Sequence, residues 1–129
     1  MKRELIYPKL SYKITGILFE IHNELGKHCN EKQYGDLFAR KLQKGKIGFQ
    51  REKFLPESFR GENIHRNRVD FIIEEKIIIE FKCKRVIERA DYYQVKRYLV
   101  SLDKKLGLIV NFHEKYLKPR RVLNSNYKH

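Results

Sequence analysis

Two short strand-forming runs, joined by a pair of glutamates, constrain the fold of this 129-residue chain more than any other feature. Residues 69–73 and 76–83 are rich in valine, isoleucine and phenylalanine, which favour strands. Charged residues interrupt both runs: Asp70 lies in the first, and Glu80 and Lys82 lie in the second. Burying such charges in a sheet costs several kcal/mol unless they are paired or bind a metal. The pattern therefore predicts two strands whose charged residues have a function.

The connection between the two strands decides whether these charges meet. Side chains alternate along a strand, so Glu80 and Lys82 share a face. A two-residue turn would place Asp70 opposite Ile79, on the other face. A three-residue connection over 74–76 would instead place it opposite Glu80, with roughly 5 Å between the β-carbons. The segment contains no Asn-Gly or Asp-Gly pair, so we expect the longer connection or an equivalent bulge.

The rest of the chain shows helical and strand patterns in turn. Apolar residues recur at helical spacing over 10–25 and 34–42, and again over 87–102. Asn30 and Gln33 indicate a capping box at the start of the second helix. Strands are expected over 47–55 and 106–112, a loop over 57–67, and a frayed basic tail beyond Pro119. This order predicts one α/β domain over residues 1–129, with a core over about 10–123 and a mixed sheet flanked by helices.

A pair of neighbouring carboxylates predicts a site for a hard divalent cation. Asp70 and Glu80 would repel one another, and magnesium is commonly held by one or two carboxylates together with water and a substrate phosphate. Such a cation could polarise a scissile phosphate and lower the pKa of an attacking water. Lys82 could position that water or offset charge in the transition state. A buried network of Asp, Glu and Lys without catalysis is the other interpretation of these residues.

The charge balance favours a polyanionic partner, with nucleic acid as the first expectation. Lysine and arginine number 29 and the acids 16, which gives a net charge of +13. No apolar run approaches the roughly 18 residues that a membrane helix needs, and no leader pattern opens the chain, so we expect a cytoplasmic protein with no membrane partner. The basic residues lie in clusters that would contact phosphate rather than bases: Arg66 and Arg68, Lys96 and Arg97, and Lys118, Arg120 and Arg121.

Asp70, nine intervening residues and then Glu80-Phe81-Lys82 resemble the signature of the PD-(D/E)XK nuclease superfamily. Further segments resemble the GxxExxY protein family in the same order along the chain. These are residues 20–26, 31–34, 105–112, Arg68, and Gln94 through Tyr98. The similarity extends over roughly residues 10–123.

The resemblance implies a restriction-endonuclease-like fold with a divalent-metal site that takes Mg²⁺ or Mn²⁺. Asp70 and Glu80 would be the metal carboxylates, Lys82 the catalytic lysine, and Glu31 an additional acid of the active site. The chain would then be a nuclease that hydrolyses phosphodiester bonds in DNA. Two other classes of protein stay open: a nucleic-acid-binding module without catalysis, and a protein-interaction module in which the charged set is structural.

The resemblance also implies residues that hold nucleic acid beside the site. Gln94 and Tyr98 match the QxxxY element of related nucleases, and their spacing makes them neighbours on a helix. Core packing is the alternative interpretation of Tyr98. Arg68 and Arg97 complete the expected nucleic-acid-binding set.

Overall fold

Five strands and three helices make up the part of the chain that the structure, a computed structural model, describes, which is residues 6–63 and 67–125. The helices are α1 (Pro8–Leu25), α2 (Glu31–Lys44) and α3 (Arg89–Leu102). The strands are β1 (Phe49–Phe54), β2 (Arg68–Ile73), β3 (Ile77–Lys82), β4 (Leu106–Asn111) and β5 (Arg120–Leu123). They form one sheet in the order β1-β2-β3-β4-β5, in which β3 and β4 are parallel and the other neighbours antiparallel. The predicted α/β class, with a mixed sheet flanked by helices, is confirmed.

Capping residues set the helix ends near the predicted positions. Gly26 follows α1 with a φ of 71°, a conformation that favours glycine. At the start of α2, Asn30 Oδ1 accepts a hydrogen bond from the Gln33 N–H at 2.8 Å, and Gln33 Oε1 accepts one from the Asn30 N–H at 2.9 Å. This is the predicted capping box. The third helix begins at Arg89 rather than at residue 87, because Glu88 is its N-cap.

Two apolar layers hold the helices against opposite faces of the sheet. On one face, α1 and α2 pack through residues such as Leu18 and Phe38 against Phe71 and Phe81. On the other face, α3 packs through Val95, Tyr98 and Leu99. Among the helices that the structure describes, none has the length and apolar character needed to cross a membrane.

The β2–β3 connection has the longer of the two predicted lengths. Ile73 pairs with Ile77, and Phe71 pairs with Ile79. The connection over residues 74–76 turns the chain through two consecutive residues with positive φ, at 52° and 58°. The same register places Asp70 opposite Glu80. The hairpin prediction that brings the two carboxylates together is therefore confirmed.

The expectation of a frayed tail beyond Pro119 is wrong for residues 120–123. These residues form β5, which pairs antiparallel with β4 at the edge of the sheet. Val122 is buried under α3, whereas Arg121 donates a hydrogen bond to the Ile6 carbonyl at 2.9 Å. Two arginines beside a single buried residue give this four-residue strand the sequence pattern of a basic tail. Charged side chains commonly protect strands at the edge of a sheet.

Candidate active site

The two carboxylates lie where β2 and β3 stop pairing. Glu80 Oε1 accepts a hydrogen bond from the Asp70 N–H at 3.0 Å, and Asp70 Oδ2 accepts one from the Phe81 N–H at 2.8 Å. Each side chain thus satisfies a backbone donor that the sheet ladder no longer uses. These reciprocal bonds fix both carboxylates beside one another, and each retains a second oxygen that could take a further partner.

Burial makes this pair costly to ionise. Glu80 is only 4% exposed, and burial together with repulsion from Asp70 raises its pKa well above the ordinary value. Burial also raises the pKa of Asp70, against the opposing effects of the Phe81 N–H and of the Lys82 and Arg68 charges. A pair of carboxylates that binds a cation is expected to show raised pKa values when no cation balances its negative charge.

Lys82 extends from the same strand as Glu80 and reaches α3. Its Nζ donates to Gln94 Oε1 at 3.1 Å and lies 3.8 Å from Asp91 Oδ1. Asp91 also pairs with Lys84 at 3.0 Å and accepts the Glu88 N–H at 2.7 Å. The predicted lysine is therefore held at a defined position by two side chains of one helix.

Asp91 was missed by sequence reasoning. Burial alone would raise its pKa, but the Glu88 N–H and the Lys84 ammonium hold that pKa below its ordinary value. The signal in the sequence was an acid in the first turn of a helix, three residues after another acid. That pattern indicates a cap, and it says nothing about a contact with Lys82.

Glu31 reaches the site from the first turn of α2. It lines a cavity of about 320 Å³ together with Asp70, and we refer to this space as the α2 cavity. Partial desolvation of the Glu31 carboxyl group and repulsion from Asp70 raise its pKa, while Lys82 and Arg68 act in the opposite direction. The other charged residues of the cavity wall are Lys32, Arg51, Glu52 and Arg68. Sequence reasoning missed Arg51.

The four expected nucleic-acid-binding residues lie in different surroundings. The Arg68 side chain is 46% exposed and contacts Glu52 at 3.9 Å, and Gln94 is half-buried against Lys82. Arg97 is exposed, and its Nη2 donates to Asn67 Oδ1 at 3.2 Å. Tyr98, by contrast, is 1% exposed and belongs to the core under α3. Arg66 lies outside the described residues.

The Tyr98 ring packs in the core, as one of its two interpretations expects. A role of Tyr98 in holding nucleic acid stays a prediction, although the charges of the site act on its hydroxyl. Burial raises the pKa of Tyr98 to about 12, and the negative charges of Glu80 and Asp70 add to that effect, while Arg97 opposes it. The phenol therefore stays protonated at neutral pH and can donate a hydrogen bond.

The carboxylates of Asp70 and Glu80 fit magnesium or manganese better than a metal ion that needs three or more protein ligands. Within residues 6–63 and 67–125, no group of three or more His, Cys, Asp or Glu side chains is arranged to hold a metal ion. Magnesium needs only one or two carboxylates, because it keeps water and takes substrate oxygens. Asp70 and Glu80 supply such a pair. Cys29 and Cys83 are both free thiols, and burial raises the pKa of Cys83 to about 11.

Comparison with known proteins gives the chain a family. A model of the PD-(D/E)XK nuclease superfamily matches residues 8–122, nearly the whole chain. No curated protein and no solved structure matches it. The mixed five-stranded sheet with its three helices is consistent with a restriction-endonuclease-like fold, and the narrower resemblance to the GxxExxY family stays a prediction. From the match and from the Asp70/Glu80/Lys82 arrangement together, we conclude that this chain belongs to the PD-(D/E)XK nuclease superfamily.

Proposed function

We propose that the protein is a Mg²⁺- or Mn²⁺-dependent nuclease that hydrolyses phosphodiester bonds in DNA. The observation that carries this proposal is the pair formed by buried Glu80 and half-buried Asp70, fixed side by side at the gap between β2 and β3. Such a pair lowers the stability of the folded state unless a cation balances its negative charge. Membership of the nuclease superfamily and the net charge of +13 support a nucleic-acid substrate.

Each residue has a distinct part in the proposed reaction. Asp70 and Glu80 would hold the cation, which when bound supplies positive charge that polarises the phosphate and lowers the pKa of a water molecule. In the hydrolysis a water oxygen joins phosphorus and one ester P–O bond breaks. The water gives up one proton and the leaving oxygen takes up one, so that one water is consumed per bond. Lys82, oriented by Gln94, would offset the negative charge that develops on the phosphate. Glu31 would be the additional acid facing the α2 cavity.

The decisive experiment is cleavage of labelled single-stranded and duplex DNA, with RNA in parallel, in Mg²⁺, in Mn²⁺ and in EDTA. We expect cleavage of DNA that needs the cation. Asp70→Asn or Lys82→Ala should lower the rate by at least about 10²–10³, since each removes a charged group at the reacting phosphate. Asp103→Asn is the matched control, because Asp103 is exposed at the end of α3 with a φ of 54°, where asparagine is tolerated. Full activity in either site variant would remove this mechanism.

Metal binding can be measured apart from cleavage. Calorimetric titration with Mn²⁺ should give binding in the wild type and none in the Asp70→Asn/Glu80→Gln double variant. The same ion should raise the melting temperature of the wild type only, because a ligand that binds the folded state stabilises it. DNA that is bound but never cut would indicate a non-catalytic binding module. A chain with no salt-dependent DNA affinity would indicate a protein-interaction module.

A further inference from the structure

The α2 cavity contains a guanidinium group that the fold holds rigidly. Arg51 Nη1 donates to Asp36 Oδ1 at 2.7 Å, and the central carbon of the guanidinium lies 5.4 Å from the centre of the Phe71 ring. The side chain is only 27% exposed. An arginine fixed by an ion pair and by an aromatic ring has lost most of its conformational freedom before any ligand arrives.

A glycine in α2 leaves the space that this guanidinium occupies. Gly35 is buried in the second turn of α2, and a β-carbon there would lie 2.5 Å from Arg51 Nη2. Glycine in a helix interior costs roughly 0.5–1 kcal/mol relative to alanine. The helix therefore has a residue of low helix propensity at a position where a methyl group would displace Arg51.

Cationic and anionic side chains both line the α2 cavity. The cations are Lys32, Arg51 and Arg68, which we call the cationic wall, and the carboxylates are Glu31, Glu52 and Asp70, of which Asp70 is one of the two proposed metal ligands. The bond to Asp36 uses Nη1 alone, so the guanidinium keeps further N–H donors in the fork geometry that matches phosphate oxygens. An anion held at this wall would lie next to a phosphate held at the carboxylates.

We propose that Arg51, with Lys32 and Arg68, forms a binding subsite for a phosphate of the substrate strand adjacent to the phosphate that is cleaved. The proposal rests on the proposed nuclease function for the identity of the ligand, a polynucleotide, and not for the existence of the anion site. The cationic wall and Asp70 line the same cavity of about 320 Å³, so a phosphate bound at Arg51 would share one space with a phosphate bound at Asp70. Arg51 is then a substrate-positioning residue.

The test is binding of a 3′-labelled, ten-nucleotide single-stranded DNA, measured by fluorescence anisotropy in EDTA so that nothing is cut. Arg51→Gln should weaken binding about tenfold and reduce the slope of log K against log salt by about 0.7, the value for one phosphate contact in single-stranded DNA. Gly35→Ala should weaken binding as well, although it improves helix propensity. Arg40→Gln, an exposed arginine of α2 outside the cavity, removes the same charge and should change neither quantity.

The outcomes separate this subsite from the proposed catalysis. If Arg51→Gln binds like Arg40→Gln, or if the wild type does not bind the oligonucleotide, the subsite is wrong even where the wild type cleaves DNA. If binding depends on Arg51 and Gly35 while the wild type cuts nothing in Mg²⁺ or Mn²⁺, the subsite stands and the nuclease proposal fails. Gly35→Ala must melt no lower than the wild type, so that its loss of affinity reports the displaced guanidinium rather than unfolding.

Discussion

Glu80 carries a cost in stability that the proposed metal site would explain. It is 4% exposed, faces a second carboxylate, and has a pKa raised well above its ordinary value. The fold offers it the Asp70 N–H as a hydrogen-bond donor and Lys82 as a nearby positive charge. A glutamine would keep the hydrogen bond and lose the charge. Residues of this kind are where stability and function conflict most directly.

This conflict predicts how stability depends on pH in the absence of divalent cations. Acids whose folded-state pKa is raised bind protons more tightly when folded, so their stabilising effect is complete below the unfolded values near 3.8 and 4.5. It is lost as the pH rises through the folded-state values. Urea denaturation in EDTA should therefore show that Glu80→Gln gains about 0.5–2 kcal/mol over the wild type at about pH 8. The gain should shrink at about pH 5.5, and a gain that grows on acidification would contradict the assigned direction.

Asp91 links the capping of α3 to the position of Lys82, and two substitutions separate these effects. Asp91→Asn keeps an oxygen that can accept the Glu88 N–H but removes the charge near Lys82 and Lys84. We expect near-normal stability and a kcat about tenfold lower with little change in KM, since Gln94 alone would position Lys82 less well. Asp91→Ala should in addition lose about 1 kcal/mol of stability with the cap. Equal stability losses in both variants would show that the charge, and not the cap, stabilises the helix.

At the scale of elements, the packing of α3 against β4 determines where Gln94 and Tyr98 lie. The contact is close at one point: a β-carbon on Gly107 would lie 2.6 Å from Val95 Cγ1. Valine is stiff and branched at this position, so the helix or the strand would have to move. The absence of a side chain in β4 thus sets the distance between α3 and the sheet, and with it the position of the polar residues that α3 presents to Lys82.

Substitutions at this contact should be coupled. Gly107→Ala should destabilise the protein by about 1–3 kcal/mol through overpacking. In the double variant with Val95→Ala, we expect about 1 kcal/mol of that loss to be recovered, as a double-mutant cycle in urea would measure. Gly16→Ala is the control, because a β-carbon there meets no atom within 4 Å in the middle of α1, and helix propensity should make it slightly stabilising. Strict additivity at 107 and 95 would show that α3 adjusts freely.

The elements differ in how far the sequence could predict them. The β2–β3 register followed from strand alternation and from the missing turn residues, both of which are local signals. The capping box at Asn30 was equally local. In contrast, β5 consists of four residues with one buried side chain, a pattern too short to tell from a basic tail. Its strand character comes from pairing with β4, which only the folded chain provides.

The same distinction separates the predicted from the unpredicted site residues. Asp70, Glu80 and Lys82 interrupt apolar strands, so they stand out in the sequence. Arg51 is one of 29 lysines and arginines, and nothing local marks it. Its proposed role depends on Asp36, fifteen positions earlier in another element, and on a glycine that leaves room for it. Contacts that depend on tertiary packing give no periodic signal.

At the scale of the whole molecule, the net charge of +13 makes association with nucleic acid favourable almost irrespective of sequence. Such general attraction does not identify the surface that binds. The exposed guanidinium of Arg97 is a specific candidate for a phosphate contact. It donates a hydrogen bond to Asn67, and its central carbon lies 5.8 Å from the centre of the Tyr98 ring. Asn67 directly precedes β2 and lies three positions before Asp70. A phosphate bound at Arg97 would therefore be close to the proposed cleavage site.

The salt dependence of duplex DNA binding distinguishes this surface from general attraction. If Arg97 contacts a phosphate, Arg97→Gln should reduce the slope of log K against log salt by about 0.9 in duplex DNA. Arg40→Gln lowers the net charge equally on the exposed side of α2 and should leave the slope unchanged. Equal effects of the two variants would mean that DNA senses only the total charge. An unchanged slope in Arg97→Gln with a reduced slope in Arg40→Gln would move the binding surface from α3 to α2.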